Sequence, residues 1–503
     1  MRNNISALFT LCVVLLASST VFVSGQTPKE TPPPPTDPRS VQIPEVEEVE
    51  LINGLKIVIV SKRELPLVTV SLLVKGGSGL VNASHSGLAD ITAEMITKGT
   101  ELRSATQIAQ EMEFLGASLS SGADWNSSFV NVSVMKDKLP RALAIVADSV
   151  TRPTFPAEEL NLVKSQKIDG LKVRLKQPGP VWSYVASRYT YGEHTNDGTP
   201  ESISRIRTRD VETFHYSNYH PKNAVLIFTG DVSKEEAIRY GRLFFGGWKS
   251  PEGAPRSGTG GLTASNDDEN GIVRRMLVID LPDSGQAAVG YAKRLSEGRV
   301  DCDDSGECKE RHIFDSALVL NSILGGGYSA RLNQEIRIKR GLSYGARSDF
   351  DWRGSSVNFS AITQTKNESA AEVAELIVKE IEKLTKEKIA ETEMVPRRAV
   401  VTGSFGRSLQ TNNGLAARVR DLYLYGLDPG LLNSFIDDIG GVSESQVRKF
   451  AADNLTRGDL IIVGDSKLFI DDLGKRFPNR TIEVIKADRL DLNSSDLKVA
   501  KSP

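Results

Sequence analysis

Two pairs of short motifs recur at one fixed distance in this 503-residue chain, and that spacing constrains its fold more than any other feature. RYTYG ends at Gly192 and LYLYG ends at Gly426, while VLIFTGD carries Gly230 and LIIVGD carries Gly464. Both pairs of glycines are 234 residues apart. Between the landmarks lie DVETFHYSNY in the first copy and SQVRKFAADN in the second, each readable as an amphipathic helix feeding the closing strand. One matched pair is within reach of chance. Two at the same offset imply duplication of a domain-sized unit, hence two like domains in tandem.

Each copy mixes strands with helices. Residues 55–60 (LKIVIV) and 68–74 (VTVSLLV) are short, β-branched and separated by a polar turn, so they read as strands. Residues 369–384 (SAAEVAELIVKEIEKL) place Val373, Leu376, Ile377 and Leu384 on one helical stripe behind a Ser369…Glu372 capping box. The pattern predicts an α+β fold of two tandem homologous α/β sandwich domains, each an antiparallel-rich sheet covered by helices. A net charge of −2 gives no basic surplus, so nothing points to nucleic acid as a partner.

Composition breaks set the boundaries. Arg2, the apolar run at 7–23 and the small residues Ser24-Gly25 describe a signal peptide over 1–25. The chain is accordingly expected to be periplasmic or secreted, with a retained N-terminal anchor as its one membrane association. A proline-rich tether covers 26–40, the first domain 41–250, a Gly/Ser/Pro-rich linker 251–271 and the second domain 272–485. The polar tail 486–503 is expected to fray. In DCDDSGEC, Cys302 and Cys308 are expected to pair as a local disulfide in an oxidising compartment. The same octet has Asp301, Asp303 and Ser305 at calcium-loop spacing, but His312 stands where a bidentate Glu is needed. His194, His215, His220 and His312 show no ligand spacing, and His215 and His220 read as surface residues.

The chemistry-bearing stretch is GLADITAEMITKGT at 87–100. Leu88, Ile91, Met95 and Ile96 share a helical stripe, and Asp90 and Glu94 lie four apart on the other side with Ala93. Like charges so placed repel unless a cation sits between them. Zinc prefers imidazole or thiolate donors, which this face lacks.

With Arg103-Ser104 added, that stretch resembles the signature helix of the M16 family of zinc peptidases, in its mitochondrial-processing-peptidase-like branch. The family's Gly-x-Ala-His-x-x-Glu-His-Met frame is kept at Gly87, Ala89 and Met95, followed by Lys98-Gly99-Thr100. Asp90 and Glu94 stand where the histidine ligands belong and Ala93 where the catalytic Glu belongs. The third family ligand maps near VKSQKIDGLKVRLKQPG, whose single carboxylate is Asp169. The second half carries NSILGGGYSARLNQEIRIKRGLSYGA at 321–346, similar to the family's glycine-rich turn with an Arg and a Tyr seven residues apart. By that match Arg337 and Tyr344 are the residues that hold a peptide carbonyl.

The resemblance implies the clam-shell M16/LuxS-like metallohydrolase fold. It further implies a chain inactive on its own, without a cofactor, that contributes Arg337 and Tyr344 in trans to a zinc-bearing M16 partner acting on a peptide. The alternative is a non-proteolytic peptide-binding or structural scaffold of the cell envelope. Residues 297–310 read as an insertion relative to the family pattern.

Overall fold

A computed structural model describes residues 43–252, 271–302, 308–310 and 313–499. The expected signal peptide, the tether, most of the 251–271 linker and the acidic loop 303–307 with His312 lie outside the described residues.

Strands β1 (Val46–Glu50), β2 (Lys56–Ser61), β3 (Leu67–Lys75), β4 (Ser118–Ala123), β5 (Ser127–Met135) and β6 (Ala224–Gly230) form one sheet in the order β1-β2-β6-β3-β5-β4. Strands β7 (Val273–Asp280), β8 (Ala287–Leu295), β11 (Ala346–Trp352), β12 (Val357–Thr365), β13 (Gly458–Gly464) and β14 (Ile482–Lys486) form a second in the order β11-β12-β8-β13-β7-β14. A separate two-stranded antiparallel hairpin, β9 (Val300–Cys302) and β10 (Cys308–Glu310), follows β8 in the chain. The two large sheets have the same strand order, one written in reverse of the other. β6 runs parallel to β2 and antiparallel to β3, as β13 does to β7 and β8. Only the outermost strand differs, since β1 is antiparallel to β2 whereas β14 is parallel to β7.

The duplication is visible residue for residue. β6 and β13 begin and end 234 positions apart, and so do helices α3 (Ala157–Arg174) and α8 (Glu391–Ser408). Gly192 and Gly426 both adopt left-handed φ, +67° and +69°, where a residue without Cβ is favoured. That constraint explains why this landmark persists in both copies.

Both faces of each sheet are buried, which is why β2 and β13 read as unbroken apolar runs. Along β2, Ile57 and Ile59 face the first domain's own helices while Val58 and Val60 face away. The far face is covered by the other copy. Helix α9 (Asn412–Tyr425) of the second half packs on β3 and β6 through Leu415, Val419 and Leu422. Reciprocally, helix α4 (Pro178–Val185) of the first half packs on β8 and β13 through Val181, Trp182 and Val185. Trp182 donates its indole N–H to the Ile461 carbonyl at 3.0 Å. A Cβ on Gly290 would lie 2.5 Å from the Trp182 ring, so the close approach needs glycine there. The equivalent helices are thus exchanged between the halves.

Three expectations are corrected. The tail does not fray through 499: Leu497 is fully buried, Leu490 bridges Lys498, and Asn493 accepts from Arg188 and Thr199 of the first half at 2.9 and 2.7 Å. Its few leucines seal the seam under the exchanged helix, so apolar burial outweighs its polar composition. His220 is buried. His215, on α5 (Thr208–Asn218), stacks on Tyr219 at 4.9 Å and donates to the Val150 carbonyl at 2.8 Å. α5 packs on the helix of 87–100, which draws that histidine inward.

Burial pulls the His215 pKa down to about 4 from 6.5, against the hydrogen bond to Val150. A depressed folded-state pKa gives stability that is present above the unfolded value and lost as pH falls from 6.5 toward 4. Urea midpoints at pH 7 and pH 4.5 should reveal about 2–3 kcal/mol of acid-induced loss from this group. His215→Phe should remove that increment, even where it lowers stability at pH 7. An unchanged acid slope in His215→Phe would reject the assignment.

Candidate functional site

The helix α1 (Leu88–Met95) starts at Gly87, whose φ of +95° is left-handed. A Cβ there would lie 3.2 Å from the Asp197 carbonyl, so the glycine at the motif's head serves the fold. Leu88, Ile91 and Met95 enter the core, and α1 is bounded by β4, β5, α3 and α5. Ala93 is fully buried among these neighbours, whereas the helical pattern had placed it on the open side with Asp90 and Glu94. The Ala93 methyl offers no acid or base to the face that Asp90 and Glu94 share.

The following residues of the frame are structural. Thr100 Oγ1 and Arg103 Nη1 donate to the buried Asp148 at 2.6 and 2.8 Å, and Arg103 also pairs with Glu111 at 3.2 Å. Ser104 caps the next helix in a capping box with Gln107. These residues of the frame thus hold the loop that follows the helix.

The Asp90/Glu94 pair does have a cation between its members. Lys167, on α3, places its Nζ 2.6 Å from Asp90 Oδ2 and 3.0 Å from Glu94 Oε2. Burial works against the Lys167 ammonium, but Asp90 and Glu94 outweigh it and hold its pKa above the ordinary lysine value. Burial likewise raises the Asp90 carboxyl, with Lys167 opposing. Asp169, the residue expected nearest this face, points elsewhere. It is mostly exposed and pairs with Lys172 at 3.0 Å. Two positions along a helix turn a side chain by about 200°, which puts Lys167 and Asp169 on opposite sides. Lys167 is not among the sequence expectations, because ligand patterns consist of donors and not of cations; its signal was a basic residue on the helix that faces the two like-charged acids.

The residues present do not fit zinc. Two carboxylates supply hard oxygen donors only, and a fixed ammonium fills the space between them. A divalent ion there would meet a positive charge within contact distance.

The other expected site lies in the second half. Helix α6 (Ile313–Leu324) ends in the Gly325-Gly326-Gly327 turn. A Cβ on Gly325 would sit 2.3 Å from the Ser348 amide, whereas Gly327 has open space around it. Arg337 lies on the helical segment Asn333–Ile338, and its guanidinium carbon is 4.9 Å from the Tyr344 ring. Tyr344 is 90% exposed. The Arg337 side chain makes no ion pair or hydrogen bond among the described residues, and the nearby Glu335 is taken by Lys339 and Arg340. A free guanidinium beside a free phenol is a set of donors without an internal acceptor.

Within the segment 297–310, Arg299 reaches Glu310 at 2.8 Å and Asp421 of α9 at 2.5 Å. Cys302 is disulfide-bonded, and the hairpin register sets it opposite Cys308. No helix among the described residues is long and apolar enough to cross a membrane.

Known proteins match this arrangement over both halves. The family model for insulinase (peptidase family M16) matches residues 56–173, and that for the peptidase M16 inactive domain matches 205–395. An uncharacterized zinc protease of Mycobacterium tuberculosis is 26% identical over 393 residues, covering 76% of this chain and 84% of that protein. The uncharacterized zinc protease YmxG of Bacillus subtilis is 23% identical, covering 73% and 85%. The crystal structure of a peptidase M16 inactive domain from Pseudomonas fluorescens aligns with a TM-score of 0.71 at 25% identity, over 83% of this chain and 98% of that one. A protease from Helicobacter pylori shares the fold with a TM-score of 0.75 at 19% identity. With both halves matched by models of one family, and its two motif regions lying inside them, this chain belongs to the M16 peptidase family.

Proposed function

We propose that this chain is the non-catalytic subunit of a two-chain M16-type peptidase of the cell envelope. It binds peptide and presents Arg337 and Tyr344 to the scissile carbonyl, while a partner chain supplies zinc and the catalytic base. The observation that carries the reading is the contrast between its two motif regions. The helix that would hold metal is closed by Lys167, whereas the half-buried Arg337 guanidinium and the exposed Tyr344 phenol are uncommitted. A guanidinium and a phenol both keep their protons at neutral pH and suit a carbonyl oxygen gaining charge. The outer edge of β4, against α1, has no strand partner among the described residues, so it is available to an extended peptide. The leader-like 1–25 segment supports an envelope location.

Purification with and without an intact zinc-bearing M16 chain from the same genome tests the proposal. The pair is expected to cleave an unfolded peptide that this chain alone leaves whole. Arg337→Ala should lower turnover of the pair about 100-fold, with the partner's zinc content unchanged. Cleavage by this chain alone, or full turnover with Arg337→Ala, would overturn it. Peptide binding without any partner-dependent cleavage would favour the scaffold reading instead.

A further inference from the structure

Arg337 has a second aromatic neighbour. The Tyr328 ring centre lies 4.8 Å from the guanidinium carbon, matching the 4.9 Å to Tyr344. Tyr328 is 63% exposed, and neither tyrosine hydroxyl has a partner among the described residues. Tyr328 immediately follows the glycine turn, and Tyr344 immediately precedes Gly345 and β11.

One buried side chain brings these segments together. Asn333 donates from Nδ2 to the Gly327 carbonyl at 2.9 Å and to the Ala346 carbonyl at 2.8 Å, and its Oδ1 accepts from the Ala346 amide at 2.9 Å. It stands one turn before Arg337 on the same helical segment. From the other side Arg397 of α8 bonds the Ser329 carbonyl, and its Nη1 reaches Ser329 Oγ at 3.1 Å. The turn is therefore held at both ends, with Tyr328 projecting from a fixed backbone.

A half-buried arginine without a hydrogen-bond partner still samples several rotamers, and fixing its side chain costs up to about 2 kcal/mol of entropy. Each cation–π contact at an exposed site contributes roughly 0.5–1 kcal/mol, so two together offset much of that loss. Neither contact occupies an oxygen acceptor, so the N–H donors stay open to a ligand.

We propose that Tyr328 is a positioning residue for the Arg337/Tyr344 site, holding the guanidinium so that its N–H edge meets a carbonyl or carboxylate oxygen of an extended peptide. The role rests on the peptide-binding reading above, but the restraint can be measured without substrate. Phenylglyoxal modification of Arg337, followed by mass spectrometry of the full chain, reports how freely the guanidinium moves. Tyr328→Ala should raise the Arg337 modification rate about 2–5-fold, the equivalent of one lost contact. Tyr328→Phe should keep the wild-type rate, because the ring and not the hydroxyl does the holding. The exposed Arg347 on β11 should react equally in all three proteins. An unchanged Arg337 rate in Tyr328→Ala overturns the proposal, whatever Arg337→Ala does to turnover.

In the assembled complex, Tyr328→Ala should lower kcat by a similar factor with little change in KM, and Tyr328→Phe should restore it. A faster modification rate with unaltered kcat would remove the role. Loss of any effect from Arg337→Ala would remove the underlying reading instead.

Discussion

Restoring the family motif by Asp90→His, Ala93→Glu and Glu94→His is expected to leave the chain unable to hold zinc tightly while Lys167 is present. The ammonium occupies the gap between positions 90 and 94, within 3.0 Å of both native side chains. A divalent ion bound to two imidazoles there would face a unit charge at contact distance, a repulsion of several kcal/mol even at a protein-like dielectric of about 20. Adding Lys167→Met to the triple variant should raise zinc affinity by about 100-fold or more, measured by chelator competition. Equal affinities with and without Lys167→Met would show that the ammonium swings away and closes nothing. Position 93 sets a second obstacle. Ala93 has no exposed surface, so a glutamate there must overpack its surroundings at about 1–3 kcal/mol.

In the native chain, the same geometry makes Lys167 a stabilising cation. Its raised pKa means that its contribution is fully present below the ordinary lysine value and is lost as pH climbs through the higher folded-state value. Lys167→Met should therefore destabilise at neutral pH and shrink the alkaline loss. The three side chains keep partial contact with water, so the penalty at pH 7 is expected near 1–3 kcal/mol, below that of a fully buried pair.

The duplication could be read directly, because glycines at left-handed turns and apolar strand cores are under local constraint that survives divergence. Gly192 and Gly426, or β6 and β13, stay in register since few other residues suit those backbones. The exchange of α4 and α9 between sheets was not legible. An apolar stripe states that a helix is buried and leaves open which sheet receives it. Strand composition held a partial signal, since LKIVIV is apolar on both faces and so demanded a second cover. At the site, Arg337 and Tyr344 were expected from the resemblance to the family's glycine-rich turn and its Arg and Tyr, not from residue types alone. Lys167 and Tyr328 were missed for different reasons. Lys167 meets its partners across more than seventy positions of chain, while Tyr328 belongs to no recognised spacing and is placed by Asn333.

Asp459→Ala is expected to be among the most damaging single substitutions in the molecule, because one buried carboxylate ties the two copies together. Asp459 is fully buried on β13 and accepts from Arg274 at 2.9 Å, from Arg275 at 2.6 Å and from Thr190 at 2.9 Å. Thr190 belongs to the first half, and Arg275 also donates to the Tyr189 carbonyl at 2.7 Å and lies over that ring at 3.9 Å. Burial alone would raise the Asp459 pKa, but the two guanidinium groups prevail and hold it below the usual carboxylate value. Its contribution is thus present above the unfolded pKa near 4 and is lost as pH falls through the lower folded-state value. That window lies below the one set by His215, so the two groups separate in an acid titration. Removing the buried carboxylate leaves two partly exposed guanidinium groups crowded without their shared acceptor, a loss of about 2–4 kcal/mol, below that of a fully buried pair. Asp169→Asn, which breaks the exposed pair with Lys172, should cost no more than about 0.5 kcal/mol. Urea denaturation supplies the global comparison, and hydrogen exchange at the β13 amides supplies the local one. If the seam depends on Asp459, β13 should lose protection together with α4, whose helix rests on it. Retained protection in α4 would show that the exchanged helix is held by Trp182 and its apolar neighbours alone.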